Sequence, residues 1–487
     1  MGALLGPALA APVLSLPVGS VVLSVGSGFR VGGLPAGVRV VGQLPRVGAV
    51  LVEAPLSAVP ALRAVPGVRG VRPDAVLRTL SDGREGESRG GVLAPAVVGG
   101  ASGGSGAGAG VVVAVLDTGV ADTSGLRRSS GHLTRGPDFS GEDAGAARDG
   151  FGHGTFMANL IAGGAVGGNV VGVAPGASVL DVKVASADGT TRLSRVLKGL
   201  DWVAGNGPGL GVDVLSVSLG ADRPAAGYGS DPLTDATDAV QAAGIVVVVA
   251  AGNDASQVSD PGQNPQLFTV GAADTTSGSK NARGSDGSDG SGSGSSREGG
   301  ARVAAFSGRG VVGGVVRPDL VAPALHLLSV LPPDSVIAAD HPEAKSGGLW
   351  RGSGTSQATA VTAGAVAVFL SGRAALDPQD VRASFAAVAG PVGTSAAGAA
   401  GGAGAGLLVI PSAVRRGDYH SATVPPAGSP QVSSAGGSPS WSSTSWSSTS
   451  WSSTSWSSTS WSSTSWSSTS WSSTSWSSTS WSASAWA

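Results

Sequence analysis

Three short glycine-containing segments hold the residues most able to do chemistry: AVLDTG with Asp117, GHGT with His153, and GTSQA with Ser356. A serine hydroxyl is a poor nucleophile until a neighbouring imidazole takes its proton. The imidazole in turn needs a carboxylate that holds its tautomer and stabilises the imidazolium that forms. The three residue types in this order, each flanked by glycine, predict acyl transfer through a nucleophilic serine.

The elements that must position these residues follow an alternating pattern. Near-continuous apolar segments are typical of strands buried on both faces, and they begin at 111 (VVVAVL), 178 (SVLDVKV), 212 (VDVLSVS) and 245 (IVVVVA). Segments with helical spacing lie between them, among them TTRLSRVLKGLDWV and DPLTDATDAVQAAG. Asp231 is a candidate cap for the second of these helices. The predicted fold class is α/β, a doubly wound parallel sheet with helices on both faces.

Strand ends locate the candidate site. In open parallel sheets, active residues lie beyond the carboxyl ends of the strands. Asp117 directly follows the first strand, residues 218–220 end the third, and Asn253 follows the fourth. His153 and Ser356 each open a predicted helix, whose unpaired N–H groups could stabilise an oxyanion. These positions therefore predict one site at one edge of the sheet.

Other interpretations of the same residues are less specific. Asp117 alone could be a turn residue, His153 a helix cap, Asn253 a left-handed turn residue after Gly252, and Asp149 a structural carboxylate at a helix start. LDTG also resembles the aspartic-protease signature, but that chemistry needs two carboxylates and no second such motif is present. An α/β-hydrolase would place the serine first in the chain, whereas Ser356 comes last.

Composition excludes several function classes. The chain has 487 residues, 41% of them hydrophobic, a net charge of −2, and no cysteine, so disulfides and thiolate chemistry are excluded. Basic residues are scattered without the cluster expected of a nucleic-acid surface, so no nucleic-acid partner is predicted. The sequence has no apolar segment of the length needed to span a membrane.

Composition also divides the chain into segments. They are an apolar leader at 1–18, a small α+β unit at 19–80, a Gly/Ser/Ala-rich linker at 81–110, a catalytic domain at 111–414 with an inserted Gly/Ser loop at 277–300, a second linker at 415–440, and a WSSTS repeat tail at 441–487. The leader has Ala8-Leu9-Ala10 as a candidate cleavage motif but lacks a basic n-region, so it fits either a signal segment or an ordinary apolar leader.

The unit at 19–80 and the repeat tail differ in composition and in predicted structure. In the first, GVRVVGQLP and VGAVLVEAP are predicted strands, and SAVPALRAV is a predicted short helix with Ser57 as its cap. In the tail, a period of five matches neither strand nor helix, so no apolar face forms and disorder is predicted. Stacking of its Trp rings on a cell-wall polymer is a second hypothesis for the tail.

Several segments together resemble those of the subtilisin-like serine proteases. They are AVLDTGV, DGFGHGTFMANLIAG, GVAPGASVLDVKV, LSVSLG, VVVVAAGN, VAAFSGRG, RPDLVAPA and GSGTSQATA, in this order over about residues 111 to 414. The resemblance implies that Asp117 orients His153, that His153 acts as general base and then acid, and that Ser356 attacks the peptide carbonyl. It further implies that Asn253 donates to the oxyanion.

The resemblance also implies how the substrate binds. An extended peptide would pair with Ser218, Leu219 and Gly220 as an added strand, beside Gly252. The first unit is similar to an inhibitory propeptide whose end blocks the cleft, with the processing site in the linker that follows. The alternative is an unrelated α+β domain.

Partners and compartment follow from the same resemblance. Protein or peptide substrates, the chain's own pro-region as an intramolecular inhibitor, and a secreted or cell-wall-associated location are expected. No cofactor is required, and no metal ligand is predicted. Members of the family often bind structural calcium, but no acidic loop in the sequence can be assigned to it.

Four positions depart from the family pattern: Phe156, Asn159, Gln357 and Ala360 stand where a second His, a Gly, a Met and a Pro are usual. None of them removes a proton-transfer group. They and the Trp tail leave a second hypothesis open, a catalytically silent relative that binds peptides or cell-wall polymer.

Overall fold

The computed structural model describes residues 18–80, 91–98, 102–143, 146–221, 231–276, 300–393 and 402–416. All of the predicted leader except Val18, nearly all of the inserted loop, most of the second linker and the repeat tail lie outside these residues, and so does part of the first linker.

The described residues form short strands and eight α-helices. The strands are β1 (Val18–Val25), β2 (Arg39–Leu44), β3 (Ala49–Pro55), β4 (Val68–Pro73), β5 (Val76–Thr79), β6 (Val112–Asp117), β7 (Leu133–Asp138), β8 (Ala165–Val166), β9 (Asn169–Val170), β10 (Ser178–Lys183), β11 (Thr190–Arg192), β12 (Val212–Val217), β13 (Leu219–Gly220), β14 (Val246–Ala250), β15 (Phe268–Asp274), β16 (Arg302–Val303), β17 (Gly310–Val312), β18 (Val315–Arg317), β19 (Leu320–Pro323), β20 (Leu327–Ser329), β21 (Lys345–Ser346) and β22 (Leu349–Gly352). The helices are α1 (Val59–Arg63), α2 (Ala94–Val98), α3 (His153–Ala162), α4 (Leu193–Asn206), α5 (Pro232–Ala242), α6 (Val336–Asp340), α7 (Thr355–Leu370) and α8 (Pro378–Val388).

The central sheet confirms the predicted fold class. Within the described residues it has eight strands, in the order β16-β15-β14-β12-β6-β10-β7, with β19 pairing β15. Its pairs are parallel except β15 with β16. The long segments between neighbouring parallel strands supply the helices that cover the sheet.

Alternation along the strands explains why both faces are apolar. On β6, Val113 and Val115 pack in a core with α3, α7 and α8, whereas Ala114 and Leu116 pack in a core with α4 and α5. Successive side chains of a strand point to opposite faces, so a Val-rich segment supplies both cores at once. The helices therefore cover the sheet on both sides, as the sequence predicts.

Residues 18–73 form a small α+β unit. Among them, β2-β3-β1-β4 make an antiparallel sheet with α1. Val21 and Leu23 face this unit's own core, while Val22 and Leu51 join the core that contains α4 and α5. The unit is thus packed on those two helices through one face of its sheet.

Two details of the predicted elements differ from the structure, and one agrees with it. The cap position of α1 is Ala58, so the prediction of Ser57 as cap is wrong; Ser57 lies in a one-turn 3-10 helix (Leu56–Ala58) that leads into α1. The helix predicted from 190 begins only at Leu193, because Thr190–Arg192 pair with β5 as β11. The predicted cap of α5 is confirmed, since the Asp231 side chain accepts from the Leu233 N–H.

Candidate active site

Asp117 and His153 meet at the carboxyl end of β6. Asp117 is the last residue of that strand and His153 the first residue of α3; the Asp117 Oδ1 to His153 Nδ1 distance is 2.7 Å. Both side chains are buried. The same Oδ1 accepts from the backbone N–H of Thr118. This arrangement can hold the imidazole in the tautomer that carries its proton on Nδ1. In that tautomer Nε2 is the nitrogen able to accept a proton.

Close backbone packing explains two of the glycines in the motifs. A Cβ on Gly154 would lie 2.1 Å from the Gly119 carbonyl oxygen, and a Cβ on Gly119 would lie 1.9 Å from the Arg148 carbonyl oxygen. Gly119 also has φ of +107°, which L side chains rarely adopt. The start of α3 can therefore approach the loop after β6 only because glycine occupies both positions.

Ser356 lies in the first turn of α7 and contacts the end of the N-terminal unit. Its Oγ lies 2.6 Å from the Leu80 carbonyl oxygen and 3.2 Å from the Ser218 carbonyl oxygen. The Ser356 N–H also donates to the Leu80 oxygen, at 3.2 Å. One carbonyl oxygen thus lies against both the hydroxyl and the N–H of Ser356, where the carbonyl of a bound peptide could lie.

Leu80 ends a segment that is paired like a bound peptide. In the described residues, β5 is the middle strand of β11-β5-β13 and is antiparallel to both neighbours. Thr79 pairs with Leu219, Arg78 pairs with Gly220, and the Leu80 N–H donates to the Ser218 oxygen at 3.1 Å. In this structure residues 218–220 pair with an extended segment of the protein's own chain.

The side chains along this segment differ in burial. Leu77 and Leu80 are 2% and 5% exposed, whereas Val76 is 51% exposed. A Cβ on Gly220 would lie 3.1 Å from Leu80 Cδ1, so the Leu80 side chain rests over the bare backbone of that glycine. Leu77 and Leu80 are thus the two buried side chains of this segment.

Asn253 follows β14 and is held by Thr355, the residue before Ser356. Its Oδ1 accepts from the N–H of Thr355 at 3.0 Å and from the Thr355 hydroxyl at 2.9 Å. Fixing Oδ1 in this way assigns Nδ2 as the donating end of the amide. Gly252, just before it, has φ of +96°, and a Cβ there would collide with Ser259.

The four departures from the family pattern are accommodated differently. Phe156 is buried in the core beside α7, and Ala360 is buried within α7. Asn159 is fixed by two bonds: Oδ1 accepts from Thr123, and Nδ2 donates to the Thr155 carbonyl. Gln357 is fully buried, and neither of its amide atoms has a hydrogen-bond partner among the described residues.

Buried charges surround the site. Lys183, on β10 beside Asp117, is 1% exposed; its Nζ donates to the Thr118 carbonyl and lies 2.9 Å from Glu142. Burial raises the pKa of Asp181 to about 6, although its ion pair with Arg148 opposes the shift. These groups lie beneath the loop that follows Asp117.

Sequence reasoning did not identify Leu80, Thr118 or Thr355 as part of this region. Leu80 precedes the linker by one residue and had no motif to mark it. The two threonines each adjoin a predicted site residue, and only their hydrogen bonds show what they do.

Across the residues that the structure describes, no group of three or more acidic or histidine residues could hold a metal ion. No helix in this same part of the chain is long and apolar enough to cross a membrane.

Known proteins are similar to this chain in sequence and in fold. Residues 108–406 match the model of the subtilase family, Peptidase_S8. The chain is 33% identical over 286 residues to the serine protease AprX of Bacillus subtilis, covering 56% of this chain and 60% of that protein. It is 38% identical over 169 residues to subtilisin BL of Lederbergia lenta, covering 34% of this chain and 57% of that protein.

A solved structure agrees at the level of the fold. Fervidolysin from Fervidobacterium pennivorans, described as a keratinolytic enzyme related to subtilisin, superposes with a TM-score of 0.60 at 22% identity. The match covers 81% of this chain and 60% of that one. The family model spans well over half of the chain and includes Asp117, His153, Asn253 and Ser356. On these grounds the chain belongs to the subtilase family of serine proteases.

Proposed function

We propose that the protein is a serine endopeptidase that cleaves peptide bonds through an acyl-enzyme on Ser356. One observation carries the proposal: an extended segment of the chain lies in the cleft with its Leu80 carbonyl oxygen against both the hydroxyl and the N–H of Ser356. A substrate bound in the same way would present its scissile carbonyl to the nucleophile.

The geometry supports a definite role for each group. His153 takes the Ser356 proton as Oγ attacks the carbonyl carbon, and Asp117 stabilises the imidazolium. The Ser356 N–H and the Asn253 Nδ2 donate to the oxyanion. The C–N bond then breaks, His153 gives its proton to the leaving amine, and water activated by His153 hydrolyses the ester to free acid and serine.

The same contacts support a self-inhibited zymogen. Residues 76–80 occupy the strand position of a substrate, so the N-terminal unit acts as an intramolecular inhibitor while it stays docked. Processing directly after Leu80 would turn this segment into a product-like inhibitor. A secreted or cell-wall-associated location, and the use of structural calcium, are parts of this proposal that rest on family resemblance.

Replacement of the nucleophile tests the reaction. We expect Ser356→Ala to lower hydrolysis of a peptide ester by at least about 10⁴-fold, because no acyl-enzyme can form. A fluorophosphonate probe should label the wild-type chain after removal of residues 1–80 and should not label the variant. Ser371→Ala, just beyond the other end of α7, should keep wild-type turnover.

A catalytically silent peptide binder is the rival function. Membership of a family of serine proteases and the paired Asp117 and His153 do not favour it. A wild-type chain that stays unlabelled both before and after removal of the N-terminal unit would establish the rival and overturn the enzyme proposal.

A further inference from the structure

Asp149 is a buried carboxylate close to the active site that the proposed mechanism does not use. It is 2% exposed and precedes α3 by four residues. Among the described residues it accepts four hydrogen bonds. Oδ1 accepts from the Thr118 hydroxyl at 2.8 Å and the Gly152 N–H at 2.7 Å. Oδ2 accepts from the N–H and the hydroxyl of Thr155, at 2.8 and 2.6 Å.

These donors lie on both sides of the catalytic pair. Gly152 and Thr155 bracket His153 in the first turn of α3, where backbone N–H groups have no partner within the helix. Thr118 directly follows Asp117, and its hydroxyl also accepts from the Gly154 N–H at 2.9 Å. The carboxylate therefore joins the segment that carries the imidazole to the segment that carries its orienting acid.

The charge of Asp149 suits this arrangement. Burial raises the pKa of Asp149 above its ordinary value, and the hydrogen bonds from Thr155, Gly152 and Thr118 oppose this rise. An ionised carboxylate accepts at both oxygens, whereas an asparagine amide would turn an NH2 group towards one pair of these donors. Asparagine keeps the volume but removes half of the acceptors, which leaves buried donors unsatisfied.

We propose that Asp149 is a positioning residue for the general base: by holding the first turn of α3 against the loop after β6, it sets the separation and orientation of Asp117 and His153. The inference rests on the proposed function of the site. A displacement of the imidazole slows proton transfer, and it leaves the peptide-binding strands β11 and β13 where they are.

The test compares Asp149→Asn with the wild-type chain, each after removal of residues 1–80, on a peptide ester. We expect kcat to fall by up to about 10²-fold and KM to change by less than about threefold. The acid limb of the profile of kcat/KM against pH should move to lower pH, because a loosened Asp117 stabilises the imidazolium less. The charged groups near the pair are Asp181 and Lys183 on β10, Arg148 before α3, and Glu142, and all are unchanged in the variant.

Crystal structures of both chains in a Ser356→Ala background give a readout that does not depend on activity. The Asp117 Oδ1 to His153 Nδ1 distance should exceed the wild-type 2.7 Å in the Asp149→Asn chain. An inactive wild-type chain would refute the proposed function alone, and this distance would still decide the role of Asp149. An unchanged distance with unchanged kcat would overturn the inference.

Two further comparisons separate positioning from general destabilisation. Asp213 is a half-buried carboxylate that accepts from the Val112 N–H at the opposite end of β6, so Asp213→Asn should lower the melting temperature and leave kcat unchanged. Thr155→Val should lower kcat, whereas Thr155→Ser, which keeps the hydroxyl, should restore it. An equal fall in kcat for Asp213→Asn and Asp149→Asn, or for the two Thr155 variants, would contradict the proposal. If Asp149→Asn does not fold, the Thr155 pair decides.

Discussion

At the scale of single residues, two side chains of the candidate site, Asp117 and Asn253, are each held by a neighbouring threonine. Asn253 is held by Thr355, the neighbour of Ser356, and the Asp117 carboxylate by the N–H of Thr118. A donor that is already oriented loses little freedom when charge develops on the substrate oxygen. The contributions of Asn253 and Thr355 should therefore appear in the rate of the chemical step.

Asn253→Ala tests this at the oxyanion. We expect kcat to fall by about 10²–10³-fold with little change in KM, since the lost bond forms mainly in the transition state; this magnitude comes from the equivalent change in subtilisin, a relative. Thr355→Val, which removes one of the two bonds to Oδ1, should give a smaller loss. Steady-state kinetics on an ester substrate measures both. A variant whose KM rises while kcat stays constant would assign Asn253 to binding instead.

At the scale of elements, the short strand β5 is held between β11 and β13 by backbone pairing and by its buried side chain. Its backbone pairs on both sides. The Leu77 side chain packs in the core that contains α4, whereas the Val76 side chain is exposed. Backbone pairing gives affinity without regard to sequence, and the buried side chains add selectivity. The contact of β5 with its neighbouring strands should thus be sensitive to a change at a buried position and tolerate one at an exposed position.

Leu77→Asp and Val76→Asp form a matched pair on this strand. A buried, unpaired carboxylate at 77 should weaken docking of the segment, whereas one at 76 faces water. We expect the unprocessed Leu77→Asp chain to react faster with a fluorophosphonate probe than the unprocessed wild-type chain, and Val76→Asp to react at the wild-type rate. Gel separation of labelled precursor from processed enzyme gives the measurement. Equal rates for all three chains would show that β5 does not limit access to Ser356.

At the scale of the whole molecule, charges cross the contact between the N-terminal unit and the helices beneath it. Arg69 lies 2.9 Å from Asp235, and Arg72 lies 3.5 Å from Asp231. The arginines are partly exposed, so each pair contributes little by itself. Asp260 lies close to Asp231 and is buried; burial, and then the Asp231 charge, raise its pKa to about 8, while Arg72 lowers it.

This carboxyl makes the stability of the docked chain depend on pH. In the unfolded chain Asp260 ionises near its ordinary value of 3.8, whereas the folded chain keeps the proton up to about pH 8. Rising pH over this range therefore stabilises the unfolded state more, so stability falls from about pH 4 to pH 8. Asp260→Asn removes this loss.

The test measures melting temperatures in a Ser356→Ala background, which prevents self-cleavage. We expect the melting temperature of the Asp260→Asn chain, minus that of the Ser356→Ala chain, to increase as the pH rises from 5 to 8. The exposed Asp254→Asn serves as the control and should show no such trend. A difference that is the same at both pH values would show that Asp260 is ionised in the folded chain.

The sequence by itself determined the sheet, its covering helices and the order of the reacting residues. Val-rich segments such as 112–117 remove their apolar side chains from water only when both faces are buried. The cap of α5 at Asp231 is a local contact, which neighbouring residues determine. Strand ends then place Asp117, residues 218–220 and Asn253 at one edge, because parallel strands share their carboxyl ends. These inferences need only local periodicity and chain direction.

Only the tertiary structure shows which segment lies against Ser356 and which side chains contact the segments that carry Asp117 and His153. Leu80 meets Ser356 across a separation of 276 residues, and no spacing in the sequence encodes such a contact. Asp149, which looked like an ordinary helix-start carboxylate, gains its significance from Thr118, a residue 31 positions away. Contacts of this kind depend on packing between elements, and periodicity reports only what each element does along its own axis.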